Sequence, residues 1–114
     1  MAAVKASPAR LREFELVVLL AVLAVRTETH PRAIRNEIER RSGRIASRAA
    51  VFITLERLET KGFVTSRFGD PTPTRGGRAK RLFRATALGT RAALESVRTV
   101  SAMSTGLAPG TSPR

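Results

Sequence analysis

Apolar residues run without a break from Leu16 to Val25, and beyond Arg26 they become spaced. From Leu11 to Val25 the chain has helical length but no polar face, so the predicted helix must be covered on more than one side. A chain of 114 residues holds one modest core, and covering both sides of one helix from within is hard at that size. A second copy of the chain would supply the missing cover; a central core helix of a monomer is the other reading. Arg26 to His30 is polar and reads as a connector. Pro31 suits the first turn of a second helix, Ala33, Ile34 and Ile38 mark its apolar face, and Glu37 and Arg41 form a favourable i,i+4 pair. Gly43 supplies the stop. Ser47 is a good N-cap for a third helix, in which Val51, Leu55 and Leu58 share one face and which Gly62 ends. Two helices of about eleven to fifteen residues joined by about four have the spacing of a helix-turn-helix.

Two strand-length segments follow, Phe63 to Phe68 and Lys80 to Ala85. The intervening stretch from Gly69 to Ala79 holds Pro71, Pro73, Gly76 and Gly77, too long for a tight turn and natural for a wing. The second strand is apolar on both faces at Leu82 and Phe83, which leaves its register open. Thr86 caps a last helix running through Leu94 and Val97 to about Ala102. The expected organisation is a flexible arm over residues 1–10, a winged helix-turn-helix over 11–86, a C-terminal dimerisation helix over 87–102 and a disordered tail over 103–114. The expected fold class is mainly α with a small β-hairpin.

Charge adds a function to this topology. Lys and Arg outnumber Asp and Glu by 21 to 9, a net charge of +12 that favours a polyanionic partner. The excess concentrates in residues 26–48 and 65–84. The second of these holds Arg67, Arg75, Arg78, Lys80, Arg81 and Arg84 against Asp70 alone. A solvated face would mix both signs. In a winged helix the second helix of the turn enters the major groove while the wing lies over backbone or minor groove. Charge and topology therefore lead separately to duplex DNA.

Other classes fit poorly. The chain has no Cys, one His (His30) and one Asp (Asp70), with no nucleophile and base at a working spacing, so no enzyme, metal site or cofactor is expected. The longest apolar run is ten residues, well short of the ~20 that span a bilayer, and a soluble cytoplasmic protein is the expectation. A small basic RNA-binding or architectural protein is the main alternative. It would need exposed aromatic platforms, and the chain has no Trp or Tyr. An interaction module whose basic loop only aids solubility is the third reading.

The stretch Arg44-Ile-Ala-Ser47-Arg48-Ala-Ala-Val51-Phe52-Ile-Thr-Leu55-Glu-Arg57-Leu58-Glu-Thr-Lys61-Gly62-Phe-Val64 resembles the recognition-helix block of the PadR family of bacterial transcriptional regulators. The resemblance continues through Gly69-Asp-Pro71-Thr-Pro73-Thr-Arg75-Gly76-Gly77-Arg78-Ala-Lys80-Arg81-Leu-Phe83-Arg84-Ala-Thr86-Ala-Leu-Gly89 and covers about residues 11–98. It implies a winged-helix homodimer, usually a repressor, in which the C-terminal helix packs on the partner's N-terminal helix. Leu16, Leu19, Leu20, Leu23, Leu94 and Val97 are the expected interface residues. The single helix after the wing resembles the short branch of the family. Phe52 stands where the family typically has Tyr, Leu82 and Phe83 where it has a Tyr pair, and Ala87 where it often has Pro. The aromatic wedge at position 52 is kept without its hydroxyl. Some members of the family release DNA on binding a small molecule, so the resemblance leaves room for an effector without naming one.

On a helical wheel Val51, Leu55 and Leu58 define the buried side of the third helix, so Ala49, Ile53 and Glu56 point away, with Arg48 and Phe52 on a flank. The expected DNA contacts are Ser47, Arg48, Ala49, Phe52 and Ile53. Ser47 and the free amides of the first turn can hold phosphate, Arg48 can read guanine or grip phosphate, and the apolar three can meet thymine methyls. Arg75, Arg78, Lys80 and Arg81 are expected on phosphates, supplying affinity without sequence choice. The expected partners are double-stranded DNA, with a two-fold symmetric operator, and a second copy of the chain.

Overall fold

Local capping chemistry sets where the helices begin. The computed structural model describes residues 10–69 and 80–107. In order these form α1 (Glu13–Val25), α2 (Pro31–Ser42), α3 (Arg48–Thr60), β1 (Val64–Phe68), β2 (Arg81–Ala85) and α4 (Ala87–Met103). Ser47 accepts the Ala50 amide at 3.0 Å and Thr86 accepts the Gly89 amide at 3.0 Å, each satisfying a first-turn donor that the helix leaves open. His30 caps α2, its Nδ1 accepting the Ala33 amide at 3.3 Å ahead of Pro31. Burial, and then the charges of Lys80 and Arg32, hold the His30 pKa below its ordinary value and so favour the neutral ring that can accept. Gly43 ends α2 at φ 76°, and Gly62 turns the chain out of α3 at φ 83°, a region that costs glycine nothing.

The core forms where α1, α2 and α3 meet the hairpin. Val18, Leu19 and Val22 pack with Ile34, Ile38, Val51, Leu55, Leu58, Phe63, Val64 and Phe83. Leu19, expected at a dimer interface, is instead wholly buried in its own chain. The reason is angular: Leu19 lies within the packed arc of α1 that also holds Val18 and Val22, whereas Leu20 points away from it and Leu16 and Leu23 sit on the flank between, partly buried against the core.

β1 and β2 pair antiparallel, with Ser66 opposite Phe83 and Phe68 opposite Arg81. The ladder extends to the foot of the wing, where the Gly69 amide donates to the Lys80 carbonyl at 2.8 Å. The other edge of β2 is also engaged: Thr29 and Phe83 exchange amide-to-carbonyl bonds of 3.0 and 2.7 Å. Phe83 faces inward and is fully buried, while Leu82 lies on the other face and is partly exposed, which settles what the sequence left open. Gly89 then lets α4 lie against the start of the hairpin. The Thr86 hydroxyl donates to the Gly62 carbonyl at 2.7 Å, which ties that junction to the end of α3.

Candidate nucleic-acid interface

α3 divides into an inner and an outer side. Val51, Thr54, Leu55 and Leu58 are buried, while Arg48, Ala49, Phe52 and Ile53 are exposed. Phe52 keeps 37% of its surface in solvent and Ile53 50%, large values for apolar residues on a helix whose other side is fully packed. Ser47 is exposed at the N-cap, and its oxygen already accepts the Ala50 amide. The five expected contacts on α3 thus share one outward surface at the N-terminal half of the helix. Two exposed apolar residues outside that set are Ile45, in the turn before α3, and Phe68, at the end of β1. Only three-dimensional packing distinguishes these from core residues.

The turn leading into α3 is anchored on α1. Arg44 reaches both carboxylate oxygens of Glu13 at 2.9 and 2.7 Å and lies 5.0 Å from the Phe14 ring centroid. At the far end of α3, Lys61 donates to Glu15 Oε1 and to the Arg10 carbonyl, both at 2.7 Å. Glu15 also accepts the Arg12 amide at 2.8 Å. Burial works to raise the Glu15 pKa, but the Lys61 hydrogen bond, the Arg12 amide and the nearby positive charges outweigh it, and the group sits below its ordinary value. Both ends of α3 are therefore tied to the start of α1.

The basic residues separate in the same way. Arg75 and Arg78 lie outside the described residues, and Lys80 is exposed at the foot of the wing. Arg81 is turned inward, onto Glu56 at 2.8 Å and Glu59 at 2.7 Å. Its pKa is raised, first by the hydrogen bond to Glu56, with burial opposing and Glu59 reinforcing. Glu56 is exposed on the outer side of α3 as expected, and it also receives Arg81 from the hairpin. Arg67 is paired with Glu28 at 2.6 Å; Glu37 is paired with Arg41 as expected, and with Arg40 as well. No cluster of metal-ligating side chains occurs among the described residues, and no helix among them is long and apolar enough to cross a membrane.

Three helices, a two-stranded wing and a closing helix, with the second helix of the turn presenting its outer side, define a winged-helix DNA-binding protein. Solved structures with this fold include F93 from STIV, described as a winged-helix DNA-binding protein (TM-score 0.67, 13% identity, 86% of this chain and 98% of that one). A PadR family transcriptional regulator from Eggerthella lenta superposes with a TM-score of 0.67 at 18% identity, over 83% of this chain and 82% of that one. Bacillus subtilis PadR, crystallised with operator DNA, gives a TM-score of 0.64 at 18% identity, over 75% of this chain and 47% of that one. No curated protein sequence matches the chain. Residues 19–95 match the transcriptional regulator PadR-like family, and the chain belongs to it. Its members are DNA-binding regulators of transcription, not enzymes.

Proposed function

We propose that this protein is a sequence-specific repressor that acts in the cytoplasm as a homodimer. The carrying observation is the division of α3, whose packed inner side holds Arg48, Ala49, Phe52 and Ile53 outward on one rigid surface. In this reading Arg48 reads guanine or grips phosphate, while Ala49, Phe52 and Ile53 make apolar contacts in the major groove. Lys80, together with Arg75 and Arg78 of the wing, neutralises phosphates. The crystal structure of Bacillus subtilis PadR in complex with operator DNA supports duplex DNA as the partner here. Leu20, with the partly buried Leu16 and Leu23 flanking it on α1, and the stripe of α4 (Leu94, Val97 and Val100) form the subunit interface, and two-fold symmetry then requires a two-fold symmetric operator. A groove of about 240 Å³ between α1 and α2, with Val17, Leu20, Ala21 and Ile38 beside Glu37, Arg41 and Ser42, supports the place of Leu20 in that interface.

The test is a competition titration with DNA from upstream of the protein's own gene against scrambled duplex, at ~150 mM salt, with discrimination of ~10³ or more expected. Equal, steeply salt-dependent binding to both duplexes would refute sequence-specific regulation and favour an architectural or RNA-binding role. Light scattering on the free protein should give twice the 12.4 kDa of one chain.

A further inference from the structure

Arg81 is the first residue of β2, yet its guanidinium leaves the hairpin and crosses onto α3. Nη1 donates to Glu56 Oε2 at 2.8 Å, Nη2 to Glu59 Oε1 at 2.7 Å, and Nε to the Ser66 hydroxyl at 3.1 Å. That hydroxyl donates onward to Glu59 Oε2 at 2.9 Å. The cation also lies 5.0 Å from the Phe83 ring centroid and 5.5 Å from that of Phe52. Phe52, Glu56 and Glu59 stand at i, i+4 and i+7, so they form one stripe along α3. One side chain therefore joins the hairpin to the whole stripe bordering the exposed side of α3.

An arginine that grips phosphate presents a free fork to solvent. Here all three nitrogens already donate within the protein, and only 24% of the side chain is exposed. Lone surface ion pairs fix little, but a planar cation shared by two carboxylates, a hydroxyl and two rings is held from several directions. Glu56 and Glu59 without their cation would place two negative charges beside the approaching phosphate backbone.

We infer that Arg81 is a positioning residue for base readout. It fixes the recognition helix against the wing hairpin, holds the Phe52 ring at the edge of the DNA-facing surface and cancels the charge of Glu56 and Glu59. It grips no phosphate. This rests on the repressor reading above and deepens it.

Arg81→Lys separates the two roles. As a phosphate contact Arg81 would tolerate lysine, a point charge that also binds phosphate. As a clamp it would not, since an ammonium cannot fork between Glu56 and Glu59 while lying over two rings. The operator and a scrambled duplex are titrated with each protein over a range of salt concentrations. Arg81→Lys should lose ~10-fold or more in operator affinity while its affinity for scrambled duplex and its salt slope stay at the wild-type values. Retention of operator affinity by the lysine variant overturns the clamp. So does a loss of equal size on both duplexes, since a clamp acting on base readout alone would spare the scrambled one. The double variant Glu56→Gln/Glu59→Gln, which keeps Arg81, covers the case in which Arg81→Lys does not fold. It should bind scrambled duplex more tightly yet show a lower ratio of operator to scrambled affinity, and an unchanged or higher ratio overturns the clamp. The wild-type ratio is the control: a wild type that does not discriminate removes the repressor reading and the clamp together. A discriminating wild type with an equally discriminating lysine variant removes the clamp alone.

Discussion

α1 and α4 both carry more apolar surface than their own chain covers, and they arrive there from opposite patterns. α1 is apolar nearly all round, and the core takes Val18, Leu19, Ala21 and Val22 from one side of it. α4 has a single apolar stripe with Arg91, Glu95 and Arg98 opposite, and its own chain buries only Gly89 and Ala93 from that stripe. Farther along, Val97 stays 39% exposed and Val100 59%. An uninterrupted apolar run therefore says that much surface needs cover, without saying which residues the chain itself covers. Residue size says more. Of the small members of the α4 stripe, Gly89 sits against Phe63 at the start of the hairpin and Ala93 is buried in the core, while the large members Leu94, Val97 and Val100 stay exposed.

The sharpest way to break this division is at Gly89. A Cβ added there would stand 2.0 Å from the Phe63 carbonyl oxygen and 2.8 Å from its carbon, and both are backbone atoms with nowhere to yield. Gly89→Ala should cost about 3 kcal/mol in denaturant unfolding and lift α4 off the hairpin. A variant as stable as the wild type would mean that the close approach of α4 to Phe63 is not what seats the helix.

The next effect belongs to association. Val97→Glu places a charge in the stripe beyond the region that the chain itself packs. Helical content should be retained, while dimer affinity falls ~10²-fold, about 3 kcal/mol. Sedimentation or light scattering against concentration would read this, and an unchanged mass would remove the α4 stripe from the interface. Leu20→Glu should weaken the same dimer from the α1 side, whereas Leu19→Glu should unfold the chain, because Leu19 has no exposed surface. The contrast between these neighbouring leucines tests the angular division of α1 directly.

A smaller loss is expected from Lys61→Met, which leaves the buried Glu15 carboxylate with the Arg12 amide as its remaining hydrogen-bond donor. Lys61 is partly exposed, so the cost at neutral pH should be about 2 kcal/mol, below that of a fully buried pair. The sign with pH follows from the lowered Glu15 pKa. The pair's contribution is complete above the ordinary value of 4.5 and is lost as pH falls through the lower folded-state value. The stability gap between wild type and variant should therefore close in acid, and a gap that persists there would mean the lost lysine acted through packing.

What was legible in the sequence was local. Ser47, Thr86, Pro31, Gly43 and Gly62 act where their own chemistry places them, because a cap or a left-handed turn is settled within a few residues. The exposed and buried sides of α3 followed from periodicity. The pairings Glu15–Lys61 and Arg81 with Glu56 and Glu59 were not legible, since the partners meet only after the chain has folded back on itself. Arg81 shows the consequence. Counted by charge it belongs with the wing arginines, and placed by register opposite Phe68 it turns onto α3 instead. Leu82 and Phe83 are indistinguishable in the sequence, and only packing against the helices buries Phe83 and leaves Leu82 on the other face.

The smallest expected effect lies where α1 ends. Arg26 closes the helix at φ 70°, the single non-glycine residue among those described with a positive φ, while α2 ends on Gly43 in the same conformation. A side chain in that region strains against its own carbonyl, and glycine does not. Arg26→Gly should therefore stabilise the fold, offset in part by the greater freedom glycine has in the unfolded chain, for a net gain of about 0.5–1 kcal/mol. Thermal unfolding would read it as a rise in Tm of a few degrees (~4 °C per kcal/mol for a domain of this size). No shift, or a fall, would mean that the Arg26 side chain contributes enough at the α1 terminus to cancel its backbone cost. Cations near a helix C-terminus do interact favourably with the last carbonyls. Arg26→Asn separates the two, because it relieves much of the strain while also removing the charge. An Asn variant more stable than wild type would assign the effect to the backbone, and one less stable would assign it to the lost cation.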